Sequence, residues 1–138
     1  MSRLQLAALV ASVAGVAVSI YLTVLHYAGV VPGCPVTGPV NCEEVLTSSY
    51  AVIAGTAVPT SAAGIVWFGV SVLLWTRPIS RLHLAWSGLG LLTVLYLVFV
   101  EIVRLGAVCL WCTGAHLLVL VVVLIALTMW PARNTLSP

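Results

Sequence analysis

Residues 108–116 of the chain read VCLWCTGAH, which places the thiols of Cys109 and Cys112 three positions apart at the start of a long apolar run. If residues 108–130 form one helix, the two cysteines share a face at a Cα spacing of about 5–6 Å, which a disulfide tolerates. Cys109 would then lie in the first helical turn, where free N–H groups favour a thiolate. The pattern is typical of a redox-active pair, with a packing motif or half of a metal site as the alternatives.

The composition is that of a membrane protein. Of the 138 residues, 62% are hydrophobic and only 6% are charged, and the mean hydropathy is +1.23. A chain with so few charged groups cannot cover a soluble surface. Its five basic residues form no patch that could hold a phosphate backbone, which excludes nucleic acid as a partner. At this length we expect one domain, residues 1–138.

Four apolar segments are predicted to cross the membrane as helices. The first, residues 4–27, is long enough to cross a hydrocarbon core of about 30 Å and too long for the core of a signal peptide. We expect the last helix to end at Trp130 and Pro131. The predicted fold is therefore all-α, an integral membrane bundle of four transmembrane helices. The other predicted spans are residues 61–76, 82–103 and 108–130, of which the first is short for a full crossing.

A long loop, residues 28–59, separates the first two spans. Its prolines and glycines exclude regular structure around Cys34 and Cys42. Asn41, followed three positions later by a glutamate in capping-box spacing, predicts a short helix that begins at Cys42. Residues 50–58 are apolar but too short to cross, so we expect them to lie on the membrane surface over the bundle, as a lid would.

The arginines predict the orientation of the bundle. With four spans, both chain ends and the turn between the second and third spans lie on one side, together with four arginines, and Arg104 lies alone on the other. The positive-inside rule makes the first side cytoplasmic, so both termini are expected there, in a multi-pass protein of the cell membrane. We expect Glu101 and Arg104 to form an interfacial pair. All four cysteines then fall on the outer side, where disulfides persist.

Two cysteine pairs on one side of the membrane predict an electron relay. The loop pair would take electrons from the thiols of a partner and pass them to the inner pair by thiol–disulfide exchange. An inner pair that opens toward the bilayer can reach a lipid-soluble two-electron acceptor, for which a quinone is suited. No flavin or haem motif is evident, because Thr113 rather than histidine follows the C-x-x-C motif. We therefore expect a diffusing substrate and no bound flavin, haem or metal.

These residues resemble the vitamin K epoxide reductase family and its bacterial disulfide-forming members. The resemblance covers nearly the whole chain. It includes the four spans, the loop pair Cys34 and Cys42, the run CEEVLTS at residues 42–48, and CLWC at residues 109–112.

The resemblance implies a role for each cysteine. Cys34 would meet a thioredoxin-like protein, Cys42 would exchange with Cys109, and Cys112 would act on the quinone, which is menaquinone, ubiquinone or vitamin K. Ser48 matches a serine that is expected to orient the loop helix. Some bacterial members carry a fused thioredoxin-like domain, and we expect this chain to use a separate extracytoplasmic, or periplasmic, partner in oxidative protein folding.

Two positions differ from the animal members of that family. His116 replaces a tyrosine four residues after the C-x-x-C motif, and Thr60 replaces a quinone-binding asparagine at the head of the second span. Both remain hydrogen-bond donors, so quinone binding is expected, with Cys112, His116, Thr60 and Ser48 as the contacts. The donors that activate an epoxide oxygen are not reproduced, and vitamin K quinone or epoxide reduction stays the alternative.

Other interpretations of these residues stay open at this point. Cys34 and Cys42 could form a purely structural disulfide, His116 could hydrogen-bond within the bundle, and Thr60 could cap a helix. A metal-binding or scaffold bundle is the non-enzymatic alternative, with Cys and His as ligands of a soft ion. The sequence offers no second C-x-x-C motif to complete a tetrahedral set.

Overall fold

The computed structural model describes the backbone of residues 1–136 and the side chains of residues 1–130. This part of the chain is helical and contains no β-strand beyond isolated backbone bridges. Three of its helices are long and apolar enough to cross a membrane, and α3, with 16 residues, is shorter. The chain is therefore an all-helical, multi-pass membrane protein. The helices are α1 (Arg3–Ala28), α2 (Cys42–Leu46), α3 (Thr60–Trp75), α4 (Arg81–Phe99) and α5 (Leu110–Leu136).

A stripe of small residues on α1 lets the helices approach closely. α1 packs against α3 and α5, and α4 packs mainly against α5. Since lipid is as apolar as the helix surfaces, close van der Waals contact between small residues is what holds such helices together. The buried small residues of α1 recur every three or four positions and are Ala8, Ala11, Ser12, Gly15 and Ser19.

Gly15→Ala is expected to destabilise the bundle. A methyl group at Gly15 would overlap the ring of Phe68 on α3, which is itself buried, so the two helices must move apart. We expect a loss of about 1–3 kcal/mol, measured as a lower melting temperature in detergent. Gly69→Ala is the matched control, because a methyl group there meets no atom within 4 Å. Equal melting temperatures for the two variants would contradict this packing.

The end of α4 widens into a π-helical turn, Val100–Leu105. Residues three apart share a face of an α-helix, and the i→i+5 hydrogen bonds of a π-helix rotate them away from each other. Here the Glu101 side chain turns inward and accepts the N–H of Cys109, whereas Arg104 donates to the hydroxyl of Tyr50 at 3.1 Å. The predicted interfacial pair of Glu101 and Arg104 is therefore wrong.

α5 begins two residues later than the sequence predicts. The N–H of Asn41 donates to the carbonyl of Val108 at 3.0 Å, and the N–H of Val108 donates to the carbonyl of Pro39 at 2.8 Å. These two bonds hold Val108 in extended pairing with the loop. The first helical residue is consequently Leu110, and Cys109 lies just before the first turn rather than within it.

The other end of α5 also differs from the prediction. The helical backbone continues past Pro131 to Leu136, so the expected end at Trp130 and Pro131 is wrong. Proline removes one backbone donor, but its fixed φ is compatible with a helix, and the following residues still find carbonyl partners. The side chain of Arg133, on which the predicted orientation partly depends, lies outside the described residues.

Candidate active site

The four cysteines meet in one cluster at the junction of the loop and α5. The side chains of Cys42 and Cys109 are 1% and 0% exposed, and Cys34 and Cys112 pack against them while partly exposed. Cys34 and Cys42 form a disulfide, whereas Cys109 and Cys112 are free thiols. Two pairs that are far apart in the sequence therefore lie together, one oxidised and one reduced.

Asn41 places the outer disulfide against the inner pair. Its side chain caps α2 by accepting the N–H of Glu44 at 3.1 Å, as the capping pattern predicts. The second half of a capping box is replaced, because the N–H of Asn41 donates to the carbonyl of Val108 at 3.0 Å. Since Asn41 and Val108 directly precede Cys42 and Cys109, this bond sets the two buried cysteines side by side.

Cys109 itself caps α5. Its sulfur accepts the N–H of Cys112 at 3.2 Å, and its carbonyl accepts the hydroxyl of Thr113 at 2.9 Å. A hydrogen bond from the Cys112 side chain lowers the pKa of Cys109, although burial and the negative charge of Glu101 oppose that effect. The lowered pKa favours the thiolate form of Cys109, which lies next to the outer disulfide.

A cavity of about 870 Å³ lies beside the inner pair. Its volume is in the range of cavities that hold small organic ligands. Most of its walls are apolar and come from four helices and the loop, with side chains such as Leu22, Val52, Trp67, Phe68, Val94 and Val119. The polar or reactive side chains on its walls include Ser48, Thr60, Glu101, Cys112 and His116.

A family model described as the vitamin K epoxide reductase family matches residues 6–127, which include most of α1 and α5, all of α3 and α4, and all four cysteines. The chain belongs to the vitamin K epoxide reductase family. The resemblance found in the sequence is thus confirmed at the level of the family, and membership makes the protein an oxidoreductase. Comparison with curated proteins gave no match.

The two hydroxyl residues predicted to contact the ligand lie on the cavity wall but also bind the backbone. Thr60 is the first residue of α3, and its hydroxyl donates to the carbonyl of Tyr50 at 3.1 Å. The hydroxyl of Ser48 donates to the carbonyl of Val45 at 2.8 Å, at the end of α2. Both hydroxyls keep lone pairs, but in this member of the family their donor protons fasten the loop over the cavity.

Glu101 is the site residue that the sequence analysis missed, because it was predicted to pair with Arg104 at the interface. It is 6% exposed, its Oε2 accepts the N–H of Cys109 at 3.2 Å, and its Oε1 lies 4.0 Å from Nδ1 of His116. The available signal was its position, because an acidic residue inside an apolar span is expensive and usually functional.

The residues described by the structure form no group of three or more His, Cys, Asp or Glu side chains arranged to hold a metal ion. The arrangement of the four cysteines is suited to electron transfer between sulfur pairs. A disulfide, a buried thiol that can attack it and a second thiol on the wall of an apolar cavity lie next to one another.

Proposed function

We propose that the protein is a membrane thiol–disulfide oxidoreductase that oxidises the dithiol of a separate thioredoxin-like protein and reduces a quinone. The observation that carries this proposal is the contact between the two cysteine pairs. The Cys34–Cys42 disulfide packs against the thiols of Cys109 and Cys112, and Cys112 lines an apolar cavity. Electrons can therefore pass from a loop to a site inside the bundle through sulfur alone.

The same proposal includes a topology of four spans, with both termini in the cytoplasm and the cysteines outside the cell membrane. α3 supports the fourth span, because its 16 residues carry no charge. At 1.5 Å per residue it measures about 24 Å, and the apolar loop above it supplies the remaining depth. Arg3, Arg77 and Arg81 near one end of the bundle support the orientation.

Each sulfur has a separate step in this reaction. The partner's dithiol reduces the outer disulfide through Cys34, which is partly exposed, and becomes a disulfide itself. The thiolate of Cys42 then attacks an inner disulfide at Cys109, and Cys34 displaces Cys109 from Cys42. The result is an oxidised outer pair and a reduced inner pair, which is the state of the structure. The inner pair finally reduces the quinone to a hydroquinone and becomes a disulfide again.

The cavity suits the quinone substrate. Menaquinone, ubiquinone and vitamin K share a ring with two carbonyl oxygens and an apolar tail, which matches apolar walls with few polar groups. We assign a hydrogen bond to one quinone carbonyl oxygen to His116 on α5. Thr60 on α3 would donate to the other oxygen after its hydroxyl leaves the carbonyl of Tyr50, while Ser48 holds the loop helix in place.

Purified protein tests the proposal directly. Mixed with a reduced thioredoxin-like protein and a quinone, it is expected to form one hydroquinone for each partner disulfide. If either the reduced partner or the quinone is left out, neither product should form. Hydroquinone is measured by absorbance and the partner disulfide by mass spectrometry. Oxidation of the partner with no hydroquinone formed would contradict the assignment.

The family match also supports a second candidate, a vitamin K quinone or epoxide reductase. The same preparation decides between them when vitamin K quinone and its epoxide are each supplied with a dithiol reductant. Because His116 and Thr60 stand where the animal members have tyrosine and asparagine, we expect reduction of the quinone and not of the epoxide. Epoxide turnover at a comparable rate would favour the second candidate.

A further inference from the structure

The carboxylate of Glu101 lies beside the inner cysteine pair, on the wall of the cavity. Its Oε2 accepts the backbone N–H of Cys109 at 3.2 Å, and its Oε1 is 4.0 Å from Nδ1 of His116. Glu101 and His116 both line the cavity, as Cys112 does. The carboxylate is 6% exposed and reaches this place because the chain forms a π-helical turn there.

A structural role does not explain the charge at this position. An acceptor for the N–H of Cys109 requires only a carbonyl oxygen, which glutamine also offers. A buried carboxylate is costly without a cationic partner, and Arg104 on the same turn donates instead to the hydroxyl of Tyr50. Among the described side chains, His116 is the one basic group within 4.0 Å of the carboxylate. The pair is suited to holding and moving a proton.

We propose that Glu101 and His116 form a proton path from the thiol of Cys109 to the quinone cavity. This inference rests on the proposed function. When the inner dithiol reduces a quinone, the S–H bonds of Cys109 and Cys112 break, an S–S bond forms, and two electrons and two protons reach the quinone. Glu101 takes the proton of Cys109, and His116 passes a proton to one quinone oxygen. The proton of Cys112, which lines the cavity, passes to the other oxygen.

The titratable groups around Glu101 favour proton transfer from Cys109 to its carboxylate. Cys109 faces it from just before α5, and Cys112 and His116 face it from the first turns of that helix. Tyr50 lies beyond Arg104 on the loop. From α1, the titratable side chain on the cavity wall is His26. The negative charge of Glu101 opposes ionisation of Cys109, so protonation of the carboxylate favours the Cys109 thiolate. Loss of the thiol proton and its gain by Glu101 therefore assist each other.

Glu101→Gln tests the path in a protein that lacks Cys34 and Cys42, where the inner pair alone reacts. We expect hydroquinone formation in a single turnover to slow by about a hundredfold and to lose its dependence on pH, because general acid–base catalysis contributes on that scale. His116→Gln should lose the same pH dependence, and the double variant should be no slower than the slower single variant. Glu101→Asp should keep the pH dependence.

Glu43→Gln is the matched control, since Glu43 is exposed on α2 and its loss removes the same charge. Its rate and pH profile should equal those of the parent. If Glu101→Gln keeps the parent pH profile, whatever its rate, the carboxylate carries no proton and the proposal is overturned. A double variant much slower than either single variant would also overturn it, because the two residues would then act separately.

A second measurement needs no quinone. Infrared difference spectra are recorded while diamide oxidises the inner pair of the full chain, and a carboxyl band that disappears in Glu101→Gln should accompany disulfide formation. Absence of that band overturns the proton path even where the quinone is reduced. If the band is present and no quinone is reduced, the path holds for the thiol and the quinone assignment is wrong.

Discussion

Cys112→Ala is expected to abolish hydroquinone formation. Cys112 is the cysteine on the wall of the cavity, whereas Cys109 is fully buried against the loop. Without the sulfur at position 112 the inner pair can neither close a disulfide nor contact the quinone. Removal of a reacting nucleophile leaves no substitute route, so we expect a loss of at least about a thousandfold in turnover.

The same variant should accumulate a particular disulfide. Cys109 is next to the Cys34–Cys42 disulfide, so its sulfur can still attack Cys42 when the side chain at position 112 is missing. Once position 112 is alanine, a bond between Cys42 and Cys109 cannot be displaced from the Cys112 side, and mass spectrometry of digested protein should detect it. Cys112→Ser keeps the shape of the side chain and removes only the sulfur, and we expect the same loss of turnover from it. Full turnover by either variant would remove Cys112 from the electron path.

The reliable parts of the sequence reasoning were local. Long apolar segments predicted the membrane helices, since helix length and hydropathy depend on the segment itself. Asn41 predicted the start of α2, because capping involves residues three positions apart. The contact between the two cysteine pairs was inferred from their expected placement on one side of the membrane, and the cluster now joins Cys42 to Cys109.

The errors arose where distant segments meet. α5 starts late because Val108 pairs with the loop rather than with its own helix, and no pattern in residues 108–116 indicates this. Glu101 turns inward because the chain forms a π-helical turn, which no local residue preference predicts. Two details of the site depend on these departures. Cys109 caps α5 because the helix starts late, and the Glu101 carboxylate lies beside it because of the π-helical turn.

Cys34→Ser should separate the two stages of the reaction. Cys42 and Cys109 are 1% and 0% exposed, so a folded partner protein cannot bring its thiol to either sulfur, whereas Cys34 is partly exposed on the loop. With a thioredoxin-like donor we expect turnover to fall by at least about a hundredfold, because the attacked sulfur is gone.

A small dithiol should behave differently in the same variant. Dithiothreitol can enter the cavity and attack the inner disulfide at Cys112, which lines the wall, so its turnover with quinone should stay within about threefold of the parent. Thr37→Ser, an exposed position on the same loop, should leave both donors effective. If Cys34→Ser still accepts the protein donor, the partner reaches Cys42 by moving the loop. If it loses both donors, Cys34 takes part in the inner exchange and the division into two stages is wrong.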